Sequence, residues 1–187
     1  MRTSKQIVFI ACLCFICSCT SNNSFQIIDS QKNVQIGDLE KTFQRVIGSG
    51  TLIGKGKSNF TSSFIFESSN SSSMIIFKDF LGRRNYMIEV SDTEIRYLNI
   101  RKKIEISDEE FYRFFPLSNV MDFNFYKYIL WGDAKILNQI NFKLKNVYIV
   151  STKLISIDGS NYLNEIVFSL NNDKQTYIMK FNKRNFR

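Results

Sequence analysis

The stretch Phe60-Thr61-Ser62-Ser63-Phe64-Ile65-Phe66 decides the fold. Phe60, Phe64 and Phe66 fall on one face of an extended segment, and Thr61 and Ser63 fall on the other. The same period of two continues downstream. Ser68 to Ser73 reads as a polar turn, Met74 to Lys78 as the next strand, and Asp79 to Arg84 as a loop. Tyr86, Ile88 and Val90 then alternate with Met87, Glu89 and Ser91. Glu94–Ile100 and Lys103–Ile106 extend the meander. Turns at this short spacing predict an antiparallel sheet.

Helical patterns flank this sheet. Upstream, Asp38 can cap a short helix through Val46, with Leu39, Phe43, Val46 and Ile47 on one face, and Gly48-Ser49-Gly50 reads as its end. Downstream, Ser107-Asp108-Glu109-Glu110 starts a helix carrying Phe111, Phe114 and Phe115, which Pro116 ends. A second helix is expected from about Val120 to Trp131, closed by Gly132. Strands return at Phe142–Ser151, Thr152–Ile157, Tyr162–Leu170 and Thr176–Phe181, with turns at Asp158-Gly159 and Asn171-Asn172-Asp173. The helices have aromatic faces that must be buried against the sheet. The expected class is therefore α+β: a curved antiparallel sheet, helices covering its open face, and an apolar cavity between them. Candidate cavity residues are Phe60, Phe64, Phe66, Tyr86, Ile88 and Val90 on strands, and Phe111, Phe114, Phe115 and Trp131 on helices. The plain alternative is that they form an ordinary core.

Composition removes most chemistry. The chain has 187 residues, 44% hydrophobic and 22% charged, which suits one globular domain. It has 1 Pro against 18 Phe and 8 Tyr, so it is not a disordered chain. It has no His, which excludes Ser-His-Asp triads, Cys-His pairs and histidine metal sites. Asp108, Glu109 and Glu110 sit where they offset a helix dipole, and the serines at 68–73 have no base beside them. No catalytic residue, metal or cofactor is expected, and the chain reads as a non-enzyme.

The four cysteines, Cys12, Cys14, Cys17 and Cys19, all lie near the start. They cannot form a disulfide framework for the fold. Arg2 and Lys5 precede an apolar run from Ile7 to Cys17, too short for a bilayer span of about 20 residues but suited to a signal-peptide core. Ile16-Cys17-Ser18-Cys19 resembles a bacterial lipobox: an aliphatic residue, a loose position, a small residue, then Cys. The resemblance implies cleavage after Ser18 and acylation of Cys19, and two or three acyl chains anchor stably where one does not. An ordinary secreted protein, or an uncleaved membrane-anchored N-terminus, is the alternative. Thr20 in place of Asp after the Cys points to the outer membrane. The expected organisation is a signal peptide at 1–18, a lipidated tether at 19–36 and one domain at 37–187. Losing Arg2 and Lys5 would take the formal charge from +8 to +6. That charge suits anionic lipid better than nucleic acid, given the position outside the cytoplasm.

Residues 75–133 are similar to the outer-membrane lipoprotein receptor of the bacterial Lol pathway (LolB-like). The likeness rests on Ile75-Ile76-Phe77-Lys78-Asp79-Phe80-Leu81-Gly82, the acidic helix Asp108 to Phe115, Phe115-Pro116-Leu117-Ser118-Asn119-Val120, and Ile129-Leu130-Trp131-Gly132, in that order. The resemblance implies a half-barrel closed by helices. It also implies an apolar cavity for acyl chains and a protruding loop that inserts into membrane, here Phe80 and Leu81. Arg83 and Arg84 would meet anionic headgroups. A turn that folds Phe80 and Leu81 back onto the core stays open as the alternative. The implied partners are membrane lipid through Cys19, acylated lipoprotein cargo and a periplasmic carrier, with the chain a monomer. The implied location is the outer membrane, on its periplasmic face or at the cell surface. The competing function is an envelope lipoprotein that binds a protein partner and has no lipid cavity.

Overall fold

Glycines of one strand and phenylalanines of the next build the centre of the sheet. In the computed structural model, β2 (Arg45–Lys55) sets Gly48, Gly50 and Gly54 opposite Phe66, Phe64 and Phe60 of β3 (Phe60–Ser69). A Cβ at any of the three would collide with the facing ring, so each ring lies across bare backbone. Gly48-Ser49-Gly50 therefore ends no helix. The helix, α1 (Ile36–Thr42), stops earlier, where Phe43 turns extended, and Val46 and Ile47 belong to β2. Their β-branched side chains fit a strand as well as the helical period, and pairing with β3 decides the matter.

The structure describes residues 32–57, 59–134, 147–170 and 175–187. The signal segment, Cys19 and the tether up to residue 31 lie outside the described residues, as do 142–146 and the Asn171–Asp173 turn. Gln31–Arg187 forms one compact unit. Its fold begins ahead of residue 37: β1 (Lys32–Asn33) is already paired, and Val34 and Ile36 are buried.

From β3 the sheet runs antiparallel through β4 (Ser72–Lys78), β5 (Arg84–Ser91), β6 (Ile95–Asn99) and β7 (Ile104–Glu105). Two helices follow. α2 (Asp108–Phe114) is capped by Ser107, whose Oγ accepts from the Glu110 N–H at 3.2 Å. Pro116 opens a short 3-10 turn (Pro116–Val120). α3 (Phe123–Trp131) is capped by Asp122, whose Oδ1 accepts from the Phe125 N–H at 2.8 Å. Gly132 ends it in the left-handed region at φ 86°. The chain closes with β8 (Val147–Ile157), β9 (Ser160–Leu170) and β10 (Thr176–Phe186), and β10 pairs with the free side of β2. β8 is one strand with two bulges rather than two strands. Asp158 (φ 49°) and Gly159 (φ 76°) make the two-residue hairpin turn into β9.

The order is β8 and β1 beside β9, then β10, β2, β3, β4, β5, β6 and β7, antiparallel except for the short β1–β9 pair. Among the described residues the path does not close into a barrel. This is the expected α+β class, an open curved sheet with helices on one face.

Two register rows carry the inner face: Gly48, Phe66, Ile75, Ile88, Tyr97, and Gly50, Phe64, Phe77, Tyr86. α2 lies on both. Phe111 stacks on Tyr97 at 4.5 Å, and Phe77 meets Phe111, Phe114 and Phe115. Each fully buried ring contributes roughly 1.5–3 kcal/mol by area, an upper figure. α3 buries Phe125, Tyr126, Ile129, Leu130 and Trp131 in the same core and adds polar bonds to that packing. Trp131 Nε1 donates to Ser68 Oγ at 3.1 Å, and that oxygen shares a 2.7 Å hydrogen bond with Ser73 Oγ. Asp133 Oδ2 accepts from the Ile36 N–H at 2.8 Å and joins the end of α3 to α1. Arg184 of β10 reaches the C-terminal turn of α3, donating from Nε to the Leu130 carbonyl at 2.9 Å and from Nη2 to the Ile129 carbonyl at 3.1 Å. Burial pushes its guanidinium down to about 9, so it stays charged at neutral pH and meets the negative end of the helix dipole. The Phe181 ring lies 4.0 Å from its guanidinium carbon.

Candidate functional site

The β4–β5 turn is short, apolar and tightly clipped. Asp79 builds it. Its Oδ1 accepts from the N–H groups of Leu81 (2.9 Å) and Arg83 (3.0 Å), and its Oδ2 accepts from Arg83 Nε at 2.9 Å. The Arg83 Nη2 makes a 2.8 Å ion pair with the same carboxylate. The Gly82 N–H donates to the Asp79 carbonyl at 2.9 Å, and Gly82 takes φ 76°. Desolvation works to raise the Asp79 pKa, but the Arg83 side chain, the two backbone N–H groups and the Arg83 charge outweigh it. The net shift is below the usual carboxylate value.

This clip engages the N–H groups of Asp79, Leu81, Gly82 and Arg83 and leaves the apolar side chains of the turn outward. Phe80 is 88% exposed and Leu81 61% exposed, so they do not fold back onto the core. Arg83 is engaged by Asp79. Arg84 is exposed and stands as the Cα register partner of Lys78 across a bulge.

Beneath the turn, a cleft of about 500 Å³ opens at the edge of the aromatic core. Phe60, Phe77, Phe80 and Phe114 supply its apolar lining, and Lys78, Asp79, Asn85 and Arg113 supply polar and charged lining. β3 and β4 bring Phe60 and Phe77 to one sheet face, and the last turn of α2 lowers Phe114 between them. The ring centroids of Phe60 and Phe114 are 5.9 Å apart.

Of the ten cavity candidates, the structure brings Phe60 and Phe114 to this cleft. Tyr86 is half-buried beside it, 4.9 Å from Phe114 between centroids. Phe64, Phe66, Ile88, Val90, Phe111, Phe115 and Trp131 are buried within one packed cluster. The rim residues Lys78, Asn85 and Arg113 did not stand out in the sequence. The signal there is faint: a cation closing a strand just before an Asp-Phe-Leu-Gly turn, and another on the polar face of the following helix.

Asp108, Glu109 and Glu110 occupy the first turn of α2 and are exposed. Among the described residues no three carboxylate, thiol or imidazole groups converge as a metal site would require. Among them, too, no helix is long and apolar enough to cross a membrane.

An open, curved antiparallel sheet with helices on one face is thus the class that this fold defines. No family model and no curated protein matches the sequence. Among solved structures, a DUF1329 family protein from Desulfovibrio piger shares the fold. The TM-score is 0.50, with 10% identity, over 80% of this chain and 88% of the other. At that identity the likeness concerns architecture alone.

Proposed function

We propose that this chain is a lipid-anchored envelope protein that binds acyl chains and helps deliver lipids or lipoproteins to the outer membrane without catalysis. The observation that carries this reading is the pair Phe80 and Leu81, exposed on the turn clipped by Asp79, with Phe80 also lining an aromatic cleft. A self-clipped turn that exposes two large apolar side chains is costly in water and gains in lipid. Transfer of both side chains is worth roughly 3–6 kcal/mol. That alone gives weak, reversible contact, comparable to a single acyl anchor. Acylation of Cys19 would hold the domain at the membrane, and the turn would orient it. Larger acyl cargo would need the half-buried Phe114 and Tyr86 to yield, since the deeper rings are close-packed. The order of the Lol-like segments supports the same reading, because Asp79-Phe80-Leu81-Gly82 falls where that family carries its inserting loop.

The test mixes the processed chain, with Cys19→Ala, with a carrier loaded with acylated lipoprotein and follows transfer by native mass spectrometry. Acyl-dependent transfer is expected. Absence of transfer together with absence of fatty-acid binding would overturn the proposal.

A second reading has one observation in its favour. Along β8, Tyr148, Val150, Leu154, Ile155 and Ile157 are 43–61% exposed. A strand of this kind suits pairing with a protein partner. Under that reading the chain is an envelope lipoprotein indifferent to changes at Leu81.

A further inference from the structure

We infer that the cleft beneath the Phe80–Leu81 turn is a headgroup-selective site for one single-chain anionic amphiphile. The chain would lie against Phe60, Phe77 and Phe114, and the carboxylate or phosphate would be held between Lys78 and Arg113. This rests on the acyl-binding reading and adds to it the charge and the number of chains.

Three observations carry it. The first is charge. Lys78 and Arg113 both line the cleft, and neither makes an ion pair with another described residue. The one acid on the rim, Asp79, is already taken by Arg83 at 2.8 Å. The second is placement. Lys78 stands in Cα register with Arg84, so two cationic residues are neighbours at the end of β4 and β5. Such a pair costs stability, and an anion between Lys78 and Arg113 would offset part of that cost. The third is size. About 500 Å³ lies in the range that holds one small ligand (roughly 300–1,000 Å³), so the cleft takes one chain rather than the several of a mature lipoprotein. Phe80 of the exposed turn is itself part of the cleft lining, so a chain seated there would touch the turn.

The test uses the processed chain with Cys19→Ala and two probes of equal chain length, oleate and the neutral oleamide, titrated by calorimetry at low and moderate salt. Oleate is expected to bind about five- to tenfold tighter than oleamide, as two partly exposed ion pairs would give, and the gap should narrow with salt. Lys78→Gln with Arg113→Gln should abolish the gap by weakening oleate more than oleamide. Chemical-shift changes around Phe60, Phe77 and Phe114 should locate both probes. Equal binding of the two, or a gap that survives the double change, overturns the headgroup inference while acyl binding stands. Failure of both probes to bind overturns the acyl-binding reading along with it.

Discussion

The rings of Phe77 and Phe114 meet edge to face, with centroids 5.2 Å apart and planes at 85°. Phe77 is fully buried in β4, whereas Phe114, the last residue of α2, is half-buried and lines the cleft. One partner is fixed and the other can give way, which makes this contact the natural boundary between core and site.

Phe114→Ala should therefore enlarge the cleft without unfolding the sheet. The loss of a half-buried ring is expected to cost about 2 kcal/mol, below the 3–5 kcal/mol of a fully buried one. Phe77→Ala should cost the full amount. Thermal melts of both variants check the difference. Fatty acids of increasing length should bind the Phe114→Ala variant better than the parent, and an unchanged length preference would count against Phe114 as the wall.

Leu81→Glu should weaken vesicle binding by at least tenfold and leave the melting temperature within a degree or two. The side chain is 61% exposed, so it contributes little to folding, but a carboxylate entering lipid is heavily penalised. Co-flotation with anionic vesicles reads the first effect and calorimetry the second. Equal flotation of parent and variant would favour the reading in which β8 meets a protein partner.

Acid should loosen the turn before it unfolds the domain. The Asp79 pKa lies below its usual value in the folded chain. The clip's contribution is therefore complete above the usual carboxylate value and is lost as pH falls through the lowered folded value. Amide exchange at Leu81 and Arg83, whose N–H groups donate to Asp79, should speed up in that window while β3 amides stay protected. Asp79→Asn should show the looser turn already at neutral pH.

How far the sequence could be read depends on how local each signal is. The aromatic face of Phe60, Phe64 and Phe66, the Ser107 cap and the Gly132 stop act within a few residues, and each appears in the structure as the pattern predicts. Gly48 and Gly50 are different. Their meaning lies in rings on the next strand, and a helix reading was locally just as consistent. The bulged strand β8 and the early pairing of Lys32–Asn33 also depend on partners far along the chain, on β9. The site divides in the same way. The exposed Phe80-Leu81 pair was legible as an apolar turn, while the meeting of Lys78 and Arg113 along one cleft required α2 to pack beside β4. Among aromatic residues, period alone could not separate Phe114 at the cleft from Phe111 in the core three residues earlier.

The glycine row gives the sharpest test of how the sheet supports the site. Gly50, Phe64, Phe77 and Tyr86 lie in one register row, and the last two reach the cleft or its border. A Cβ at Gly50 would strike the Phe64 ring and the Lys180 carbonyl. The ring can move, but only into Phe66, Phe77 or Phe181, each with its centroid within 6.2 Å. Gly50→Ala should thus destabilise by about 2–3 kcal/mol, in the range of overpacked cores, and should also weaken fatty-acid binding by displacing Phe77. Shrinking the ring should relieve it: Gly50→Ala with Phe64→Leu should be more stable than the sum of the two single changes predicts, by roughly 1 kcal/mol or more. Strict additivity in denaturant melts would mean that the Lys180 carbonyl, and not the Phe64 ring, sets the limit at Gly50.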